Sequence, residues 1–538
     1  MDIGMGKDNV IFLGAKILFA VFAILFFAYP LLLVLSKAAT AATFGKAISI
    51  ILSKQGVLYS SLLQAAASTI VSLLIGLPAA YIIARRTFPG KKLVRAASLI
   101  PFVFPSILVV LSFVIVFGNN GWVNSVLRNF LGFTGPVQFL YGFWGVVLAH
   151  AFYNFPLVMR LVGDSWERLG SQTYHAARSL GASRFSLFVR VLLPQLLPSI
   201  AAVASLVFIY CFMSFAVVLS LGGPGVSTFE VEIYQQAARN LDIGTAAVLA
   251  AFQFALLSIP AAAYFVFSRK AAPADSSAPL APKKFNLSKA SGILEAAFMC
   301  SAMLFLMLPV FSLFIFAFTD SQTGAVSLRS FTKIFSAGPS ITGATAMSSI
   351  FYSLALALAA SIVATLMGLI ATLRQTRIPF MGGLVGASVA ISVLTLALGY
   401  YIGFGPGSLL VIAIAHSVLA FPFACRIIGN ALQKVDAAAI DAARTLGASP
   451  FAVLSKIQLP SIKKSIFASF AFSFAVSLGE LGLVLTLYDG IYPTMPVYIY
   501  RLVSVFDIGA AAAMGLILAT VSFMCFYAIE HFSEGQVF

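Results

Sequence analysis

One carboxylate stands out by its surroundings. Glu480 sits in Ser477-Leu478-Gly479-Glu480-Leu481-Gly482, deep inside a long apolar run. A charge in such a run is costly and usually faces a bundle interior. Two roles are therefore open: lining a pathway between helices, or a structural hydrogen bond or ion pair. The residue 266 positions upstream is Ser214 (480 − 214). His150 and His416 are also 266 apart (416 − 150), and Tyr153 and Asn154 share the run of His150. These side chains either touch a passing solute or hydrogen-bond a neighbouring helix, and the second is the commoner fate of such residues. Arg160 and Arg426 end the same runs and are placed to snorkel to the interface. The flanking Gly479 and Gly482 would let helices approach closely.

Other chemistry is sparse. Cys211, Cys300, Cys425 and Cys525 all lie in apolar runs without a CxxC pair, so they read as small packing residues, with no metal site implied. Nothing resembles a nucleophile–base pair. No GxxxxGK[ST] phosphate loop occurs, so the chain itself is not expected to hydrolyse ATP or to be an enzyme. The formal charge of +16 would suggest nucleic acid in a soluble protein. Here the basic residues occupy short loops between apolar runs, the pattern that sets membrane orientation, and no nucleic-acid role is expected.

The elements that position these residues are membrane helices. Of 538 residues, 61% are hydrophobic and 9% charged, against about 25% charged in soluble domains, and the mean hydropathy is +1.02. Twelve runs reach the roughly 20 residues needed to span: 11–35, 58–84, 96–117, 139–160, 196–221 and 243–268, then 293–318, 346–373, 381–402, 408–427, 463–487 and 508–530. The first run is too long for a secretory signal and reads as an uncleaved helix. A polar Pro/Ser/Ala/Lys stretch, 269–291, separates residues 1–268 from 292–538. Lys and Arg concentrate in alternate loops, among them Arg85, Arg86, Lys91, Lys92 and Arg95, then Arg374 and Arg377. Both termini are therefore expected on the cytoplasmic side.

The halves repeat. Ala149-His150, Phe155-Pro156 and Arg160 recur as Ala415-His416, Phe421-Pro422 and Arg426. Gly181 and Gly447, Pro194 and Pro460, and Ile233-Tyr234 and Ile499-Tyr500 keep the same offset, which slips by one at Asp242-Ile243-Gly244 versus Asp507-Ile508-Gly509. Six spans per half in one orientation give an all-α, polytopic, parallel repeat with a pseudo-two-fold axis along the membrane normal and a pathway between the halves.

The loop after the fourth span of each half carries the sharpest signal. It reads Tyr174-His175-Ala176-Ala177-Arg178-Ser179-Leu180-Gly181-Ala182-Ser183 in the first half and Ile440-Asp441-Ala442-Ala443-Arg444-Thr445-Leu446-Gly447-Ala448-Ser449-Pro450 in the second. Alanines favour helix. Arg178 and Arg444 suit a last turn, and Gly181 and Gly447 suit the left-handed residue that ends it. Ser183 and Ser449 can cap a following helix, with Pro450 at its first position. The result, over 171–194 and 437–460, is a short surface helix with small side chains, open to close approach by a partner.

This loop resembles the motif of permease subunits of binding-protein-dependent ABC importers: Glu-Ala-Ala, three residues, Gly, nine residues, Ile, one residue, Leu-Pro. The Glu is His175 in one half and Asp441 in the other; the Ile is Val191 and Ile457. The resemblance implies a type I importer permease in a bacterial inner membrane. It further implies that His175, Ala176, Ala177, Arg178 and Gly181, with Asp441, Ala442, Ala443, Arg444 and Gly447, dock a separate ATPase, two copies of which would carry ATP and Mg. This chain would bind no cofactor, and an extracytoplasmic binding protein would deliver the substrate.

Two fused halves are similar to the thiamine and iron(III) branches of this family. Ser214 to Gly223, Glu230 to Gln235 and Thr494 to Tyr500 are closer to the thiamine branch, with iron(III) as the alternative. A thiamine pathway would want a carboxylate and aromatic faces, which Glu480 with Tyr153 could supply beside Ser214, His150, His416 and Asn154. The longer outer loop 118–138, against 403–407 in the second half, would suit an asymmetric docking protein. An ion-coupled secondary transporter is the competing class. Its coupling would need intramembrane acids, and Glu480 and Glu295 are the two that qualify on sequence.

Overall fold

The computed structural model describes residues 2–53, 56–271, 280–320, 323–336, 344–373 and 391–533. Among them, eleven helices are long and apolar enough to cross a membrane. Labelled in chain order with the shorter elements used below, they begin with α1 (Asp8–Ala39), α2 (Val57–Arg85), α3 (Ser106–Phe117) and α4 (Phe143–Glu167). The rest of the first half holds α5 (Ser171–Ser179), α6 (Leu193–Phe212), α7 (Ala216–Leu221), α8 (Phe229–Tyr234) and α9 (Ile243–Lys270). The second half contains α10 (Ala290–Ala317), α11 (Ala346–Thr372), α12 (Val393–Phe404), α13 (Leu409–Leu432), α14 (Ala437–Thr445), α15 (Leu459–Leu478), α16 (Gly482–Leu487), α17 (Met495–Ser504) and α18 (Ile508–Ser533). The expected ninth span, 381–402, lies partly outside the described residues, as do Arg374 and Arg377; its described part is α12.

Three expected spans are not continuous. The run 96–117 is split at Pro101 and Pro105 into Lys91–Ala97, Ile100–Val103 and α3, because proline lacks the N–H that would continue a helix. The runs 196–221 and 463–487 are each interrupted near their C-terminal ends. The first breaks at Met213–Phe215, between α6 and α7, and the second at Gly479–Leu481, between α15 and α16. The two breaks are 266 residues apart (479 − 213), so the repeat extends to the interruption itself. After each break the loop that leads into the fourth span donates to the end of the short helix: Gly142 N to Leu221 O at 2.7 Å and Gly407 N to Leu487 O at 2.9 Å.

Within each half the second and fourth spans pack tightly. Gly76 of α2 lies against Val158 and the Phe155 carbonyl of α4, and Gly368 of α11 lies against Ala424 of α13. Ala424 is the repeat equivalent of Val158 (424 − 158 = 266). Small residues permit this approach where lipid gives no hydrophobic drive. The first span of each half crosses to the other half. Pro30 of α1 meets Gly399 of α12, and Tyr400 Oη donates to Phe26 O at 2.7 Å. Phe305 of α10 packs edge-on against Phe152 and tilted against Phe155 of α4, with ring centroids 6.2 and 6.0 Å apart. Each half is thus braced by a helix from the other.

The loops that precede the last span of each half repeat too. Lys46 pairs with Asp242 and Lys333 with Asp507, both at 2.6 Å, and the residues before those acids, Leu241 and Phe506, both have positive φ (55° and 60°). The linker, read from sequence as a plain polar stretch, forms a two-stranded parallel ladder where it is described: β1 (Arg86–Thr87) with β2 (Lys283–Lys284). Arg86 also holds Glu295 through two hydrogen bonds of 2.6 and 2.7 Å. Glu295, near the start of α10, is thus the ion-pair partner of Arg86.

Candidate functional site

The paired breaks create the central site. Helix interruptions free backbone groups that must then be satisfied locally. Glu480, at the second break, does part of this: its Oε1 accepts the Leu483 N–H at 3.0 Å, capping α16. Its carboxylate also lines a cavity of about 280 Å³. Ser214, its repeat partner, lines the same cavity from the first break. The two halves thus face each other across one site, with a carboxylate on one side and a hydroxyl on the other.

Helix α4 supplies the third wall. His150, Tyr153 and Asn154 all reach the cavity, joined by Tyr210 of α6 and Phe215 of the first break. Their partners fix them. Tyr153 Oη donates to Phe104 O at 3.1 Å, in the segment that the two prolines interrupt. Asn154 Nδ2 donates to His150 O at 2.8 Å and contacts Cys211 Sγ at 3.4 Å. His150 Nδ1 and Ser68 Oγ share a 3.0 Å bond, while Nε2 is buried without a partner.

The repeat histidine behaves differently. His416 bonds Ser477 Oγ through Nδ1 at 2.7 Å and does not line the cavity. Ser477 is the repeat equivalent of Cys211 (477 − 211 = 266), the group that Asn154 contacts, and position 420, equivalent to Asn154, is alanine. The polar belt is thus rewired between halves. Five of the six expected pathway residues, Glu480, Ser214, His150, Tyr153 and Asn154, converge, and His416 belongs to helix packing instead.

A second buried acid escaped the sequence reading. Glu230 of α8 is completely buried and accepts a hydrogen bond from the Gln253 amide of α9. Its other oxygen faces Ser392 and the Leu394 backbone at the start of α12 without a hydrogen bond of ordinary geometry. Val393, the residue between these two in sequence, lines the cavity; Glu230 itself does not. Position 230 falls between expected spans, in a region read as an outer loop. The signal was present: Phe229, Val231, Ile233 and Tyr234 make its neighbourhood apolar, and all are buried. The correction is that Glu230 joins Glu480 as an interior carboxylate.

The two surface loops have the expected geometry. In α5 and α14 no side chain is buried. Gly181 and Gly447 have φ of +79° and +82°. The helices end with matched bonds, Ala182 N to Ala177 O at 3.0 Å and Ala448 N to Ala443 O at 2.9 Å, the six-to-one bond of a left-handed glycine cap. Ser183 Oγ accepts from Ser186 N and Ser449 Oγ from Ala452 N. Each following helix opens with one α-helical turn, Arg184–Leu187 and Pro450–Val453, and passes through a π-helical turn, Phe188–Leu192 and Leu454–Gln458, before the proline. Leu180 and Leu446 project from the loop tips, 89% and 88% exposed, flanked by exposed Phe185 and Phe451. A leucine so exposed at both repeat positions gives each loop an apolar knob, which the sequence motif alone did not single out.

The loops differ at the motif carboxylate. Asp441 lies 3.7 Å from Arg444, whereas His175 stacks edge-on with Tyr174. The second loop is also held from the first half: Asp8 of α1 accepts the Phe451 N–H at 2.9 Å.

With this geometry in view, comparison with known proteins is decisive for the family. The family described as "binding-protein-dependent transport system inner membrane component" matches residues 72–272 and 378–535, one copy in each half. The chain belongs to that family. It is a multi-span permease of ABC importers, and the ATPase of such a system is a separate subunit. A binding protein and an ATPase are its general partners, and the ion-coupled alternative is not favoured. Over 492 residues the chain is 27% identical to the thiamine transport system permease protein ThiP of Salmonella typhimurium, covering 87% of each. It is 26% identical over 470 residues to ThiP of Brucella abortus, covering 85% of this chain and 84% of that one. A stretch of 202 residues is 30% identical to a putative 2-aminoethylphosphonate transport system permease protein, PhnU, of Salmonella choleraesuis, covering 37% of this chain and 71% of that one.

Proposed function

We propose that the chain forms the translocation pathway for thiamine or its phosphates, delivered from outside by a binding protein. The observation that carries this reading is the likeness to thiamine permeases along most of both halves. The cavity is chemically compatible: a carboxylate, Glu480, lines it together with the aromatic residues Tyr153, Tyr210 and Phe215, a combination suited to an aromatic cation. Iron(III) is the second reading and has no comparable support among the named relatives.

In this reading both termini are cytoplasmic, since Lys and Arg crowd that side. The loops 171–194 and 437–460 each seat one copy of an ATPase, which holds ATP and Mg. His175, Ala176, Ala177, Arg178 and Gly181 form one contact, and Asp441, Ala442, Ala443, Arg444 and Gly447 the other. Glu480 supplies counter-charge while Ser214, His150, Tyr153 and Asn154 shape the site. The test is reconstitution of the complex in vesicles with its binding protein. ATP-dependent accumulation of labelled thiamine supports the proposal, and accumulation of iron(III) with no thiamine uptake overturns it.

A further inference from the structure

A second cavity, of about 870 Å³, lies at the Arg-rich ends of α2 and α4, away from the central site. Lys92, Arg95, Arg160 and Arg168 line it together with Asp164 and Glu167. Leu99 and Met159 make part of its wall apolar, and Leu280 of the linker closes one side. That wall is fixed, because β1 pairs with β2 and Arg85 reaches Leu280 O at 3.4 Å.

The charge does not balance inside the cavity. Four cations meet two carboxylates, leaving an excess of two positive charges (4 − 2). Glu167 is already taken by Lys91, at 3.3 Å, and by Arg95. Lys92 and Arg168 make no ion pair among the described residues. The carboxylates are not required by the repeat. At the equivalent positions of the second half, Arg426 and Lys434 keep the cations of Arg160 and Arg168, whereas Asn430 and Gln433 replace Asp164 and Glu167. In the first half Glu167 fixes Lys91 and Arg95 at the cavity's edge, and Asp164 lies among Arg160, Arg95 and Arg168, while Lys92 and Arg168 make no ion pair of their own among the described residues.

We infer that this cavity binds a phosphate-bearing amphipathic anion, its phosphate held by Lys92 and Arg168 and its apolar part against Leu99 and Met159. Basic pockets between spans on the cytoplasmic side accept phosphate head groups, and guanidinium forks suit phosphate oxygens. The chemistry has two sources, an anionic phospholipid of the adjacent leaflet or a soluble organic phosphate. The sidedness proposed above bears on which leaflet supplies a lipid, and a test in detergent is independent of it and of the transported substrate.

The experiment measures binding to the purified full-length chain in detergent by native mass spectrometry and calorimetry. The probes are short-chain phosphatidylglycerol, phosphatidylcholine as zwitterionic control, and inorganic pyrophosphate. Phosphatidylglycerol binding above the control assigns a lipid occupant, and pyrophosphate binding assigns a soluble one. The double variant Lys92→Gln/Arg168→Gln should weaken either by about 30-fold, from about fivefold per cation. Glu480→Gln, which leaves this cavity intact, should bind like wild type. Equal binding of both lipids with no pyrophosphate binding, or unaltered affinity in the double variant, overturns the site.

Discussion

Replacing Gly447 with proline should uncouple ATP hydrolysis from transport while leaving the bundle inserted. The backbone there has φ of +82°, and proline is fixed near about −65°, so the left-handed cap cannot form. An L-residue in that region costs about 1–2 kcal/mol. Proline also removes the Gly447 N to Arg444 O bond of 2.9 Å, a net loss of about 1 kcal/mol. Together the turn loses about 2–3 kcal/mol or more. Helix α14 has nine residues and no buried side chain, and an isolated helix shorter than about 12 residues is marginal. The Asp8 and Ser449 bonds hold the segment after the turn, not the turn itself, so the turn rearranges. The spans make no use of these groups, so membrane insertion should persist. The assay compares ATP hydrolysis and substrate uptake in reconstituted vesicles, with protein level in the membrane as control. Gly447→Ala, which pays the conformational cost but keeps the N–H, should fall between wild type and proline. Wild-type uptake per ATP in Gly447→Pro would refute the docking role of the loop.

Glu480→Gln preserves an acceptor for Leu483 N and removes the charge; KM for a cationic substrate should rise about tenfold, in line with the strength of a charged hydrogen bond, and unchanged uptake at subsaturating substrate would sink the pathway role. Leu180→Ser with Leu446→Ser should weaken capture of the ATPase in co-purification, with the melting temperature of the permease alone unaltered because neither side chain is packed. Gly76→Leu should overlap Val158 of α4 and destabilise by about 1–3 kcal/mol, read as a lower melting temperature in detergent. The Lys46 hydrogen bond holds the Asp242 carboxyl below its ordinary range. The tie therefore contributes stability above the unfolded value near about 3.9 and loses it as pH falls through the lowered folded value. Asp242→Asn should lower the melting temperature at pH 6, with the gap closing in strong acid.

The two surface loops were legible as structure because local rules write them: alanine-rich helix, left-handed glycine, serine cap, proline, twice at one spacing. Eleven of the twelve expected spans were legible because lipid demands length, and the ninth lies partly outside the described residues. The breaks in the fifth and eleventh expected spans were not, since hydropathy is unchanged across Met213–Phe215 and the interruption depends on packing. Gly479 sits against Pro105, and Gly482 against Phe215 and Leu394, in both cases from distant segments. Glu230 was missed for a related reason. A short helix buried from outside looks like a loop when read by length alone. The exchange of first spans between halves has no local signature either, since Gly399 and Pro30 are 369 residues apart (399 − 30).

A duplicated fold would give two equal sites on its axis, yet each pair of equivalents here has diverged. Glu480 faces Ser214 across the cavity, and Glu230 has Pro496 as its repeat counterpart (496 − 230 = 266). The two interior carboxylates therefore come from different places in the repeat, one in each half, and a two-fold axis cannot exchange them. Two identical half-chains would have to place Glu480 and Ser214 at the same position of both copies, doubling one and losing the other. Fusion removes that constraint. It allows one carboxylate at the central cavity and one set of histidine, tyrosine and asparagine from α4 to face it. The connection into the fourth span is asymmetric in the same sense: Asn124 pins the long first-half loop through Gly118 O at 2.9 Å and Val137 N at 2.8 Å, and its second-half counterpart, between Phe404 and Leu409, is short. The docking loops, by contrast, keep the same cap, φ and exposed leucine. Divergence is concentrated where a single asymmetric solute would pass, and symmetry is retained where two copies of one partner would bind.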